Sequence, residues 1–330
     1  MESARKRYLF IRILEACDAG CFMCGYAMSR DTYRFSLREF HDLLPKARQA
    51  ALEFVRFTGG EPLLHKDVVA LVRAGSDAGM KMSIITNGSL LPRRIEELSA
   101  AGLAQVIVSI DGASAATHDF YRKAPGLFEK CVVGLKLARQ YGVLTRVNTV
   151  VGPHNYREMP LLQSELTALE VQQWELSAIK LERAIEYSDP DHVRTVCEPI
   201  YHADPGVAIV PMGKRFYGET GQERSSFFGF GITPRPTPPR CNLVGDVIYL
   251  DAKAGRGYGC SLLPHRDSEQ SGGGVQLRIQ DGWLLDSDDF KRHVEHFRGA
   301  GPKVCRGCST AAAGYSDCVA ESETVALWQF

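Results

Sequence analysis

A chain of 330 residues can bury a large core, and this length favours one main domain with a smaller companion. Its 39 Lys plus Arg balance its 39 Asp plus Glu, which removes the broad positive field that draws proteins onto nucleic acid or anionic lipid, so neither partner is expected. No stretch approaches the ~20 apolar residues of a bilayer crossing, and residues 1–7 lead straight into a strand-like run with no signal-peptide pattern. The expected setting is cytoplasmic, where ten cysteines point to metal ligation in preference to disulfides.

The first apolar run, residues 8–14, reads as a strand, and similar runs alternate with amphipathic stretches as far as about residue 203. Further strands are expected at 54–58, 81–86, 105–110, 144–151 and 173–178. Helices are expected at 37–51, 66–78, 93–101 and 128–141, where apolar residues recur at helical spacing. Repeated βα units wrap helices around a parallel sheet. Six of them predict an α/β fold with a partial (β/α)6 barrel, of the type that assembles its site from loops at the carboxyl edge.

Directly after the first strand comes Cys17-Asp18-Ala19-Gly20-Cys21-Phe22-Met23-Cys24. Three soft thiolates in one loop can converge on one face of a cubane iron–sulfur cluster, and because only three are supplied, one iron is left open. A structural zinc site would want a fourth ligand, and the next Cys or His is His41. The second strand ends in Thr58-Gly59-Gly60-Glu61-Pro62, where adjacent glycines let backbone approach a ligand closely and Glu61 can accept from an ammonium group. The third strand ends in Thr86-Asn87-Gly88. The fourth ends in Ser109-Ile110-Asp111-Gly112, followed by His118-Asp119 and Tyr121-Arg122, and the fifth carries Asn148. The plainer alternative makes Asp111-Gly112 a turn and Arg122 a solvated helix residue. After the sixth strand, Lys180-Leu181-Glu182-Arg183 reads equally as a set of substrate ligands or as a solvated loop.

Past residue 203 Gly, Pro and Ser rise, and Thr233-Pro234-Arg235-Pro236-Thr237-Pro238-Pro239 blocks regular structure, so we place a boundary there, with domains at 1–203 and 204–330. Beyond it, 247–251 and 257–263 look like hairpin arms and 287–297 like a short helix. This region holds Cys241, Cys260, Cys305, Cys308 and Cys318; two cysteines around a hairpin plus a later Cys-x-x-Cys can surround one metal centre, with zinc the simpler occupant. Cys131 and Cys197 read as packing residues, and the histidines show no ligand spacing.

The Cys17-x-x-x-Cys21-x-x-Cys24 loop resembles the hallmark of the radical S-adenosylmethionine superfamily. Gly59-Gly60-Glu61-Pro62, Thr86-Asn87-Gly88 and Ser109-Ile110-Asp111-Gly112 with His118-Asp119 and Arg122 are similar to its downstream motifs. The resemblance implies that the open iron of a 4Fe–4S cluster chelates the methionine portion of S-adenosylmethionine and that reductive cleavage yields a 5′-deoxyadenosyl radical for hydrogen abstraction. It also implies cofactor contacts at Gly59, Gly60, Glu61, Asn87, Ser109, Asp111, Arg122 and Asn148, with Ser109 and Arg122 on the carboxylate. The C-terminal cysteines, with Gly255 five positions before Cys260, resemble a Twitch domain, a short relative of the SPASM domain. That implies a second, auxiliary 4Fe–4S cluster on Cys241, Cys260, Cys305 and Cys308. Cys318 is then left as a structural residue, a replacement ligand or a hydrogen donor to a substrate radical. The implied reductant is a flavodoxin or ferredoxin. Because the barrel starts almost at once, with no leader-binding domain ahead of it, a small natural-product substrate is expected. The leading class is a sugar or aminocyclitol, epimerised or dehydrogenated at a carbinol carbon. A peptide maturase is the alternative enzyme, and a non-catalytic iron–sulfur or zinc protein the alternative of another class.

Overall fold

The computed structural model describes residues 8–21, 23–151, 154–178, 208–209, 247–260, 273–280 and 282–298. In chain order these form β1 (Tyr8–Leu14), α1 (Leu37–Gln49), β2 (Phe54–Gly59), α2 (Val68–Asp77), β3 (Lys81–Thr86), α3 (Leu91–Ala100) and β4 (Leu103–Ser109). Next come α4 (Ala115–Arg122), α5 (Leu127–Gln140), β5 (Leu144–Val151), α6 (Met159–Ala168), β6 (Gln173–Ala178) and β7 (Ala208–Ile209). The last elements are β8 (Val247–Asp251), β9 (Arg256–Tyr258), β10 (Val275–Gln276), β11 (Arg278–Ile279), β12 (Gly282–Trp283) and α7 (Asp288–Arg298).

Strands β1 to β6 pair in parallel and in chain order, joined by five helical connections, so the six expected strands are present among the described residues. Helix α1 illustrates how the sequence starts and seats such a unit. Ser36 Oγ accepts from the Glu39 N–H at 3.2 Å while the Glu39 carboxylate accepts from the Ser36 N–H at 2.9 Å, a reciprocal cap on the first turn. Phe40, Leu43, Leu44 and Ala47 then fall on one stripe, and Phe40 meets Phe57 of β2 edge to face.

Residues alternate across the sheet, so Arg56, between the helix-facing Val55 and Phe57, lies on the opposite face. There it is buried, donating to Ser83 Oγ at 2.9 Å and to Gln105 Oε1 at 3.1 Å, while Gln105 donates to Gln173 at 2.9 Å and Arg146 pairs with Glu175. Burial, reinforced by the like charge of Arg146, lowers the Arg56 pKa to about 9. A polar row thus fills the side of the sheet away from the helices.

Among the described residues the main sheet has ten strands, ordered β10-β9-β8-β1-β2-β3-β4-β5-β6-β7. Of the described part of the segment beyond residue 203, β7, β8, β9 and β10 therefore share the barrel's sheet, while β11 and β12 pair as a separate two-stranded sheet. Strand β8 runs parallel to β1, from Tyr8 opposite Val247 to Arg12 opposite Asp251, and turns back antiparallel into β9. This covers the edge that β1 would otherwise expose. Charges tie the added hairpin to the start of the chain. Arg12 pairs with Asp251 and with Glu15 at 3.2 Å, and Lys253 reaches Glu15 at 2.9 Å and Asp31 at 2.6 Å. Among the described residues no helix is long and apolar enough to cross a membrane.

Candidate functional site

The cysteine loop leaves the carboxyl end of β1 and is pinned by backbone bonds at each turn. Cys17 N–H donates to Ser29 O at 3.0 Å, Met28 N–H to Ala19 O at 2.9 Å, Gly20 N–H to Arg122 O at 2.9 Å and Cys24 N–H to Cys21 O at 3.2 Å. All three cysteines carry free thiols: Cys21 buried, Cys17 half-buried and Cys24 exposed. Each sulfur faces at least one N–H donor. These are Asn87 Nδ2 at 4.0 Å from Cys17, an Arg122 guanidinium nitrogen at 3.7 Å from Cys21, and the Tyr26 backbone N–H at 3.4 Å from Cys24. Burial raises the Cys17 thiol to about 11 and the Cys21 thiol above its ordinary value. Such thiols are poor nucleophiles but lose their protons outright to a coordinated metal. Among the described residues no three His, Cys, Asp or Glu side chains gather closely enough to share a single metal ion. A cubane offers each thiolate its own iron, so the set fits that cluster.

The glycines of strand two explain the loop's position. A Cβ on Gly59 would sit 2.2 Å from Leu14 O, and one on Gly60 2.1 Å from Ala16 O, because Gly60 N–H and Glu61 N–H bond to those same carbonyls at 3.1 and 2.8 Å. The close approach that these residues permit is of chain on chain, β2 against the root of the cysteine loop. Glu61 lies beneath, 0% exposed, its carboxylate accepting from Leu63 N–H at 2.9 Å, Thr86 Oγ1 at 2.7 Å and Asn87 N–H at 2.6 Å. It braces the end of β2 to the end of β3.

Burial outweighs those three donors and raises the Glu61 pKa from 4.5 to about 7. A carboxyl whose folded pKa exceeds its unfolded one contributes stability that is complete below pH 4.5 and is lost as pH rises through 7. We expect the urea midpoint of the metal-free chain to fall between pH 5 and pH 8 by a contribution on the order of 3 kcal/mol. Glu61→Gln should flatten that fall. Parallel pH profiles for the two proteins would remove Glu61 as its source.

The third strand's Asn87 reaches the cysteine loop directly, its Nδ2 donating to Asp18 Oδ1 at 2.7 Å while Ser89 Oγ donates to Asp18 Oδ2 at 2.7 Å. Asp18 was not among the candidate residues; its signal in the sequence is a carboxylate immediately following a ligand. Cys131 packs behind this turn, fully buried, its thiol 3.1 Å from Asn87 O, in keeping with a packing role.

At the end of β4, Asp111 is 0% exposed and held on every side. Its Oδ2 accepts from Arg122 Nε at 2.6 Å, its Oδ1 from Val150 N–H at 2.8 Å, its N–H donates to His118 Nδ1 at 3.0 Å and its carbonyl accepts from Asn155 Nδ2 at 2.7 Å. The histidines were given no role, yet His118 shapes this turn, and burial with the nearby Arg122 charge lowers its pKa to about 3, so it stays neutral. Arg122 is drawn in against the cysteine loop, away from solvent. Ser109 and Asn148 stand opposite each other in register on β4 and β5.

Gly59, Gly60, Glu61, Asn87, Ser109, Asp111 and Arg122 thus gather with Cys17, Cys21 and Cys24 at one edge of the sheet. Of the C-terminal cysteines only Cys260 falls within the described residues, two positions after β9. Cys197, Cys241, Cys305, Cys308, Cys318 and residues 180–183 lie outside them.

The carboxyl edge of a mostly parallel α/β sheet thus carries three free thiols in one loop, a donor set whose chemistry suits an iron–sulfur cluster. Residues 11–163 match the radical SAM superfamily, and the chain carries a radical SAM domain there. Among curated relatives, the AdoMet-dependent heme synthase of Methanosarcina barkeri is 33% identical over 156 residues, 46% of this chain and 45% of that protein. The chain thus spans less than half of that relative's length. GTP 3′,8-cyclase 2 of Pseudomonas aeruginosa is 29% identical over 73% of this chain and 75% of its own. The crystal structure of Streptococcus suis SuiB bound to S-adenosylmethionine superposes with a TM-score of 0.61 at 15% identity, covering 89% of this chain and 65% of that one, which shows a shared fold.

Proposed function

We propose that the chain is a radical S-adenosylmethionine enzyme. In this reading Cys17, Cys21 and Cys24 hold a 4Fe–4S cluster, and Gly59, Gly60, Glu61, Asn87, Ser109, Asp111, Arg122 and Asn148 form the S-adenosylmethionine site. The observation that carries the reading is the pinned loop in which every thiol meets an N–H donor, an arrangement suited to thiolate ligands. Cluster and S-adenosylmethionine together supply one-electron cleavage of a carbon–sulfur bond and a carbon radical that takes hydrogen from an unreactive C–H bond. The protein's share is to seat the loop, through Gly59 and Gly60, to fix its far side through Asn87 and Arg122, and to keep water from the buried Cys21 face.

Cys241, Cys260, Cys305 and Cys308 form the auxiliary site in this proposal, with Cys318 a hydrogen donor to the substrate radical and a flavodoxin or ferredoxin as reductant. For the substrate we retain a carbinol carbon of a sugar or aminocyclitol. The two curated relatives act, by name, in haem synthesis and GTP cyclisation, so a tetrapyrrole, GTP and a peptide belong in the same panel.

The test is anaerobic incubation of reconstituted, reduced protein with S-adenosylmethionine in deuterated water. Release of 5′-deoxyadenosine is expected. An epimer carrying solvent deuterium or a product lacking a hydrogen pair then separates the two carbinol outcomes. Absence of 5′-deoxyadenosine, with the cluster assembled, would leave the non-catalytic iron–sulfur reading standing.

A further inference from the structure

We infer that Arg122 and Asp111 act as an opposed charge pair that sets the reduction potential of the centre held by Cys17, Cys21 and Cys24. Arg122 raises the potential through Cys21, and Asp111 moderates it. The inference rests on the proposed 4Fe–4S site and deepens it by assigning these two residues a role besides cofactor contact.

The geometry comes from three elements meeting at one sulfur. Arg122 is the last residue of α4, and its guanidinium donates to Cys21 Sγ at 3.7 Å while its own carbonyl accepts from Gly20 N–H at 2.9 Å. Main chain and side chain of one residue therefore hold both the cysteine and the residue before it. The guanidinium cannot turn away, because Nε is bonded at 2.6 Å to Asp111, and Asp111 is itself fixed by Val150, His118 and Asn155. Asp111 is fully buried and the Arg122 side chain is 12% exposed, so neither charge is well screened by solvent.

Reduction adds one electron and thus one negative charge to the centre. A cationic donor on a cysteine sulfur stabilises that added charge, and hydrogen bonds to the sulfurs are among the levers that set cluster potentials. The carboxylate behind it acts with the opposite sign at a greater distance. A residue that only held the loop in place would have no reason to act with opposite sign to its partner.

The experiment is an anaerobic potentiometric titration of the reconstituted full chain, followed by EPR on the signal that responds to S-adenosylmethionine. Arg122→Gln should lower the reduced-to-oxidised ratio at fixed poise at least about tenfold, a midpoint shift of about 59 mV to more negative potential. Arg122→Lys should fall between it and the wild type, and Asp111→Asn should shift the midpoint the other way. A responsive signal whose midpoint is unchanged in Arg122→Gln, or shifts in the same direction in both Arg122→Gln and Asp111→Asn, overturns the inference. Should Arg122→Gln fail to assemble the centre, the sign of the Asp111→Asn shift decides alone. A wild-type protein with no responsive signal instead overturns the proposed function on which the inference depends.

Discussion

Replacing any one of Cys17, Cys21 or Cys24 with alanine should abolish the iron–sulfur signal that responds to S-adenosylmethionine and cut 5′-deoxyadenosine release at least about 100-fold. That exceeds the 10–100-fold typical of removing an outer partner of a metal ligand. The loop supplies three thiols, and the backbone bonds that hold Cys17, Gly20, Cys24 and Met28 persist when a thiol is removed. The apo fold should therefore survive. Circular dichroism and the urea midpoint should stay at wild-type values while bound iron and sulfide fall. Cys131→Ala makes the contrast: it leaves a cavity beside Asn87 and Gly88 and costs stability, but it removes no ligand. If a loop-cysteine variant retained full iron content and cleavage, the ligand set would have to be sought elsewhere.

Gly60→Ala is the second large effect. Its new methyl would lie 2.1 Å from Ala16 O and 2.4 Å from Glu15 O, and both obstacles are backbone, which cannot rotate aside. Overpacking of this kind costs about 1–3 kcal/mol, which in a chain of this size lowers Tm by several degrees. The strain falls on the residue next to Cys17, so cluster assembly should suffer more than global stability does. Gly25→Ala, in the same loop, meets nothing within 4 Å and should keep the wild-type Tm. Equal behaviour of the two variants would mean that β2 does not set the position of the cysteine loop.

Much of the barrel could be read along the chain, because its strands are short runs whose ends are marked by the motifs themselves. β1, β3, β5 and β6 fall at the expected residues, and β4 starts only two residues earlier, at Leu103. Helix α4 was missed because its eight residues bury little beyond His118 and Tyr121, too few for a helical apolar stripe. Helix α6 was missed for a related reason: Met159, Leu162 and Leu166 are buried but Leu161 is exposed, which blurs its period. The site's residues were legible as types at strand ends, and their mutual arrangement was not. That Gly60 makes room for the Ala16 carbonyl depends on a distance between separate strands. That Lys253 is bonded to Glu15 depends on a contact between residues 238 apart, and the same holds for the way β8 extends the sheet beside β1. The contacts of Asp18 and His118 had no local spacing to announce them, because each acts on a neighbouring loop.

In the proposed site one iron of the cluster on Cys17, Cys21 and Cys24 lacks a protein ligand and accepts S-adenosylmethionine. The most direct measurement is the EPR spectrum of the reduced, reconstituted protein before and after S-adenosylmethionine is added, with the cofactor's methionyl nitrogen isotopically labelled. The account predicts a changed spectrum with hyperfine coupling to that nitrogen, lost in the Cys21→Ala variant. A spectrum that is indifferent to the cofactor, from a cluster shown to be intact, would contradict it.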